Sequence, residues 1–201
     1  MYQIRNFTDN DDIRTLQEMG PFRVIEYTRD LSVAPQNAQE AYFCNEMNIR
    51  KRQVICTLGA SNITLQAGAM QWMLGDVHAT TGIKGVGDLF GKAVRGKMTG
   101  ESAIKPEYTG NGLLVLEPTY KHILLLDVGA WNGSIVIEDG MFMACDAALK
   151  HKAVMRSNFS SAAAGNEGLF NLGLQGNGVI CLESNVPTHQ LVAIELDDDV
   201  L

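Results

Sequence analysis

The chain has 201 residues, 46% of them hydrophobic, and a formal charge of −7 from 16 basic and 23 acidic side chains. That length and apolar fraction suit a globular protein with a real core and argue against a disordered or membrane-spanning class. The acidic balance disfavours non-specific nucleic-acid binding, which depends on Lys and Arg neutralising phosphates, and the N-terminus lacks the apolar stretch of a signal peptide, so the expected location is cytoplasmic.

In chain order, Ile4–Phe7 reads as a first short strand. Asp9, Asp11 and Asp12 ahead of Ile13, Leu16 and Met19, with Gly20-Pro21 beyond, fit a short helix. Phe22–Val33 reads as one or two strands stopped by Ala34-Pro35. Asn37 with Glu40 resembles a capping box, opening a helix with Ala38, Ala41 and Tyr42 on one face. Residues 1–48 are thus expected to pack as strands and short helices on a main domain of residues 49–201.

From Ile49 the texture changes to short Val, Ile and Leu runs punctuated by Gly, Asn and Asp, the pattern of a β-sandwich or barrel. Arg50-Lys51-Arg52, just before the first run, reads as a solvated edge that blocks strand addition. Cys56, Cys145 and Cys181 lie in apolar runs, as buried free thiols would; Cys44 stands apart, and there is no C-x-x-C pair.

A repeat is visible. Glu101, Gly110-Asn111-Gly112 and Leu116-Glu117 recur as Glu167, Gly176-Asn177-Gly178 and Leu182-Glu183, at one offset of 66 residues (from 101 to 167). Gly59-Ala60, Ile63-Thr-Leu65 and Gly68 pair more loosely with Gly129-Ala130, Ile135-Val-Ile137 and Gly140. Two copies of a four-strand unit, residues 54–118 and 123–184, follow from this. Leu191–Leu196 reads as the opening strand of a third copy whose remainder is absent. Its edge is expected to be covered by another chain, or by Tyr2–Val33 folding back. Gly-Asn-Gly suits a hairpin turn that needs positive φ. Gly68, Gly110, Gly112, Gly176 and Gly178 are therefore structural repeat positions. Trp72 is expected in the core or at a subunit contact. Glu101 and Glu167 could act as paired acid–base carboxylates, but their recurrence favours tying backbone N–H groups at strand corners.

The stretch from Thr81 to Gly100 invites a phosphate reading, since Gly91-x-x-x-x-Gly96-Lys97 matches most of a P-loop. Met98 replaces the required Ser or Thr, and no strand feeds the loop directly. Lys84, Lys92, Arg95 and Lys97 face only Asp88 there, beside Leu89, Phe90, Ala93 and Val94. Such a basic-apolar segment suits contact with a protein partner or an anionic membrane surface; an insertion between strands that packs on its own protein is the favoured reading, because Gly91 and Gly96 weaken any helix there. His78, His122, His151 and His189 are scattered, without the H-x-H of a cupin metal site. No catalytic residue, metal ligand or cofactor-binding motif is legible, so none is assigned.

Gly68-Ala-Met-Gln-Trp-Met73, Gly100-Glu101-Ser102, Gly140-Met-Phe-Met-Ala144 and Gly168-Leu-Phe170 with Gly176-Asn-Gly178 resemble the altered-inheritance-of-mitochondria family. This mitochondrial-biogenesis group was long catalogued as a domain of unknown function, and the likeness runs from about Val54 to the C-terminus. It implies an all-β fold, a double-stranded β-helix or jelly-roll-like sandwich akin to the tryptophan RNA-binding attenuator protein (TRAP), with a few short helices. It also implies homo-oligomers, trimers among them, and supplies no catalytic residues. The leading expectation is a non-enzymatic oligomeric β-scaffold that binds a protein or membrane-associated partner. The alternatives are a small-molecule-binding or catalytic jelly roll and, by analogy with the attenuator ring, a nucleic-acid binder.

Overall fold

The computed structural model describes residues 3–80, 105–138, 140–155 and 170–197. Among the described residues the fold is all-β with one α-helix, as expected. Strands β1 (Ile13–Met19) and β2 (Phe22–Tyr27) form a hairpin, followed by helix α1 (Ala38–Glu46). Then come β3 (Arg52–Leu58), β4 (Ile63–Leu65), β5 (Met70–Thr80), β6 (Glu107–Leu116) and β7 (His122–Asp127). The last are β8 (Ser134–Ile137), β9 (Phe142–Asp146), β10 (Lys150–Met155), β11 (Phe170–Gln175) and β12 (Val179–Ser184). Among the described residues nine strands make one antiparallel sheet in the order β1-β2-β3-β6-β4-β9-β12-β7, with β5 also on β6; β10-β11-β8 form a second sheet. The large sheet curls until β1 lies beside β7, giving a nearly closed barrel. The seam is bridged by the Gln17 amide, which donates to the Leu125 carbonyl at 3.5 Å.

The N-terminal expectations need correction. Ile13–Met19 is a strand, not a helix: Met19 pairs with Phe22 around Gly20 (φ 54°), and β2 in turn pairs with β3. A short helix with so thin an apolar stripe has little to stabilise it, whereas this hairpin joins the large sheet through β3. Ile4–Phe7 forms no strand. Helix α1 exists, but the Asn37 side chain makes no capping bond, and the helix buries no residue. Arg50-Lys51-Arg52 is not a solvated edge either, since Arg52 lies inside the sheet at 2% exposure.

The internal repeat is reproduced pair by pair in the strand register. Ile55 pairs with Val115 as Leu125 pairs with Cys181, and Ile63 with Tyr108 as Ile135 with Leu174. Met73 pairs with Leu114 as Cys145 with Ile180, and Thr80 with Glu107 as Lys152 with Gly173. Hence β5 in the first copy corresponds to β9 plus β10 in the second, and β6 to β11 plus β12. Gly68 (φ 83°) and Gly140 (φ 79°) make the same bend in the two copies. Gly-Asn-Gly is a corner rather than the expected hairpin turn. At 176–178 it carries the chain from the small sheet to the large one; at 110–112 it lies inside β6, which changes partner from β4 to β3. A Cβ on Gly110 or Gly112 would sit 2.1 Å from the carbonyl oxygen of Asp76 or Leu74, so β5 can approach only a glycine there.

Alternate residues of the strands fill the interior. Phe22 and Val24 of β2 join Val54, Cys56 and Leu58 of β3 and Ile123 and Leu125 of β7 in one cluster. A second cluster lies between the two sheets, around Leu124, Phe142, Leu174 and Ile180. Cys56, Cys145 and Cys181 are buried free thiols, as read from the sequence. Trp72 is half-buried, packing beside Phe7 against Ile25, Ile55 and Val115 rather than in the main cluster. Leu191–Leu196 pairs with no strand among the described residues. Its Val192 is 84% exposed and its Ile194 58%.

Candidate functional site

Register builds a row of charge at one end of the barrel. Arg14 of β1 stands opposite Glu26 of β2, and Glu26 opposite Arg52 of β3. Residues directly opposite in antiparallel strands share a face, here the inward face that also carries Val24 and Val54. Glu26 is 1% exposed and Arg52 2%, so each charge needs a partner. Glu26 Oε2 accepts from Arg52 Nε at 2.9 Å and lies 2.8 Å from its Nη2. Glu26 Oε1 accepts from Arg14 Nη2 at 2.7 Å and Nε at 3.1 Å, and from Arg50 Nη1 at 3.3 Å. Burial pushes the Glu26 carboxyl up, but the Arg14 hydrogen bond and the Arg52 and Arg14 charges outweigh it, and its pKa lies below 4.5.

Arg52 and Arg14 do different work. Arg52 Nη2 donates to the Asn48 carbonyl (3.0 Å) and side chain (3.2 Å), and Nη1 to the carbonyls of Arg50, Tyr120 and Lys121. It is a clamp that ties the end of α1 and the entry to β7 onto β3. Arg14 uses Nε and Nη2 on Glu26, while its side chain stays 53% exposed. Its position is set by Glu26, and among the described residues its outer Nη1 makes no hydrogen bond.

Beside this row the open seam between β1 and β7 forms a cleft of about 340 Å³. Arg14, Gln17 and Glu26 line one wall and His122 the other, with Thr188 and His189 from the segment after β12. Burial and then the charge of Arg52 hold the His122 imidazole below its ordinary 6.5. With Arg50 behind it, the row carries three guanidinium charges against one carboxylate on a chain of net charge −7. Arginine does not give up its proton at physiological pH, so the row suits charge recognition better than proton transfer.

A second arrangement unseen in the sequence is Cys145 with His151, Sγ to Nε2 at 3.3 Å. Burial, then the neighbouring Asp146, pushes the Cys145 thiol up to about 12. His151 is exposed as a residue, but its ring lies against Phe142 and Cys145; burial and then the Lys105 charge hold it down to about 4. Both shifts favour the neutral pair over thiolate and imidazolium, the reverse of what a nucleophilic cysteine needs.

Of the residues singled out in the sequence, Lys84, Phe90, Lys92, Arg95, Lys97, Glu101 and Glu167 lie outside the described residues. Gly68, Gly110, Gly112, Gly176 and Gly178 hold corners and bends, and Trp72 packs on Phe7. The cleft residues were missed. A signal existed: in Phe22-x-Val24-x-Glu26 and Arg52-x-Val54-x-Cys56 a charge occupies the core-facing position of the alternation. His122 and His189 gave no such signal, since only the closing of the barrel brings them together.

The family model described as mitochondrial biogenesis AIM24 matches residues 47–201. The chain belongs to the AIM24 family. The match covers Arg52, His122 and His189, whereas Arg14 and Glu26 precede it, so one wall of the cleft lies outside the matched part. Among solved structures, this AIM24-family chain is similar to the X-ray crystal structure of a Streptococcus pyogenes protein from structural genomics. The two are 22% identical with a TM-score of 0.50, over 87% of this chain and 66% of that one. That likeness supports the fold alone. No curated protein matches the chain. Among the described residues, no helix is long and apolar enough to cross a membrane.

Proposed function

We propose that this AIM24-family chain is a non-enzymatic β-scaffold that assembles with further copies of itself and holds a protein partner. The observation that carries the reading is the ribbon Leu191–Leu196. It has the composition of a strand, yet pairs with no described strand and exposes Leu191, Val192, Ile194 and Leu196. Apolar side chains on an unpaired extended backbone are what strand addition to another chain uses.

The receiving edge is β8 of a second copy. Among the described residues β8 pairs only with β11, and its Ser-Ile-Val-Ile sequence carries no charge. Val136 there is 50% exposed. The outer edge of β10, also unpaired among the described residues, by contrast carries Lys150 and Lys152, which deter pairing. The basic-apolar stretch holding Lys84, Phe90, Lys92, Arg95 and Lys97 is assigned to the partner contact. Sedimentation velocity tests the assembly: the wild type sediments as a dimer or larger, and Val192→Asp with Ile194→Asp sediments as a monomer. A wild-type monomer at tens of micromolar overturns the reading.

A further inference from the structure

We propose that the cleft at the barrel seam is a binding site for a phosphate-monoester group, with Arg14 as its principal ligand and Glu26 as the residue that positions Arg14. The inference rests on different residues from the assembly reading above and stands or falls separately.

The ligand chemistry follows from what faces the cleft. Arg52 uses Nε, Nη1 and Nη2 on Glu26, Arg50, Asn48, Tyr120 and Lys121, so it contributes charge rather than a free donor. Arg14 is held by two bonds to Glu26 Oε1 and keeps Nη1 for a ligand. A guanidinium fixed in this way loses little freedom on binding, and its planar fork suits phosphate oxygens. Gln17, His122, Thr188 and His189 line the same cleft with further N–H and O–H groups. The guanidinium row exceeds its single carboxylate by two charges, which a monoester, carrying close to two negative charges at neutral pH, matches better than a carboxylate. The cleft is also larger than one phosphate group. Its volume of about 340 Å³, with Leu16 and Ile123 among its walls, leaves room for the body of a small ester. The source is therefore either a soluble phosphate ester or the headgroup of an anionic lipid, and the test separates the two.

Calorimetric titration at fixed ionic strength uses inorganic phosphate and then glycerol phosphate. Sedimentation with vesicles uses phosphatidylcholine alone and phosphatidylcholine containing phosphatidic acid. Binding of the soluble probes is expected, weakened about tenfold or more in Arg14→Gln, the worth of one charge-assisted hydrogen bond. It is expected unchanged in Arg23→Gln, whose side chain pairs with Glu18 instead. His189→Gln is a second variant that leaves the buried pair intact and is expected to weaken binding as well. The His122 ring, followed by nuclear magnetic resonance, is expected to titrate at higher pH with phosphate bound, which loss of a purely structural contact would not produce. Soluble binding without vesicle binding identifies a soluble ester. Arg14-dependent binding to the phosphatidic acid vesicles identifies a headgroup. No binding of any probe, or binding that Arg14→Gln and His189→Gln leave intact, overturns the proposal.

Discussion

Glu26 and Arg52 face each other across β2 and β3 with Oε2 and Nη2 2.8 Å apart, both almost fully excluded from solvent. Their attraction is offset by the desolvation of both ions, so the pair's net contribution is small, yet losing Glu26 strands the buried Arg52 charge. Glu26→Leu is therefore expected to cost about 3–5 kcal/mol. Adding Arg52→Met should recover part of that loss by removing the stranded charge, though not the bonds that Arg52 donates to the carbonyls of Asn48, Arg50, Tyr120 and Lys121. Urea denaturation of the three proteins measures both values, and a double variant as unstable as the single one would contradict this account.

Corner glycines should differ in their tolerance of a side chain. At Gly68 a Cβ meets nothing within 4 Å, so Gly68→Ala bears only the strain of φ 83°, about 1–2 kcal/mol. At Gly112 the same methyl would lie 2.1 Å from the Leu74 carbonyl oxygen, and β5 and β6 must separate to admit it. Gly112→Ala is expected to be the more damaging change by several kilocalories per mole, read from thermal or denaturant unfolding.

Trp72 lies with its ring centroid 5.7 Å from that of Phe7. Because the indole is only half-buried, Trp72→Ala should cost about 2 kcal/mol, below the roughly 3–5 of a fully buried ring. A double-mutant cycle with Phe7→Ala should give a coupling of about 0.5–1.5 kcal/mol. Zero coupling would show that the N-terminal arm does not pack there in solution.

Stability should fall in acid, beginning earlier than carboxylates alone would produce. Above pH 6.5 His151 is neutral in both the folded and the unfolded chain, so it contributes no pH dependence. Between 6.5 and about 4 the unfolded chain takes up a proton that the folded one refuses, and stability declines as pH falls. His122, also lowered, acts in the same direction. Glu26 adds a term that is present in full above 4.5 and is lost as pH falls through its depressed folded value. His151→Gln should flatten the upper part of the profile; an unaltered slope between pH 6.5 and 4 would refute the assignment.

Lys84, Lys92, Arg95 and Lys97 bear on the membrane version of the partner contact. Each charge near an anionic surface is worth about 1 kcal/mol. If that surface is the target, co-sedimentation with anionic liposomes should weaken with salt and weaken further when all four become Gln. Wild-type protein that ignores anionic liposomes at low ionic strength leaves a protein partner alone.

The two copies of the unit were legible because strand rhythm and glycine spacing are local properties. Their register reproduces the offsets read from Gly110-Asn111-Gly112 and Gly176-Asn177-Gly178. The role of those glycines was harder to read. Whether Gly-Asn-Gly turns a hairpin or a corner depends on which strands lie alongside, and that is settled by pairings such as Gly112 with Leu58 and Gly75, far apart in sequence. Asp9 to Met19 misled for a related reason: acidic residues before a thin apolar stripe resemble a helix start until β2 supplies a strand partner. The cleft was least legible, since Arg14, His122 and His189 meet only when β1 closes on β7.

The central claim, that Leu191–Leu196 adds as a strand to another copy, is tested most directly by hydrogen exchange of its backbone amides over a range of protein concentrations. The amides of Val192 to Leu196 are expected to exchange slowly at high concentration and faster on dilution, with protection also rising in Ser134–Ile137. Exchange at the rate of an unstructured chain at every concentration would contradict the claim.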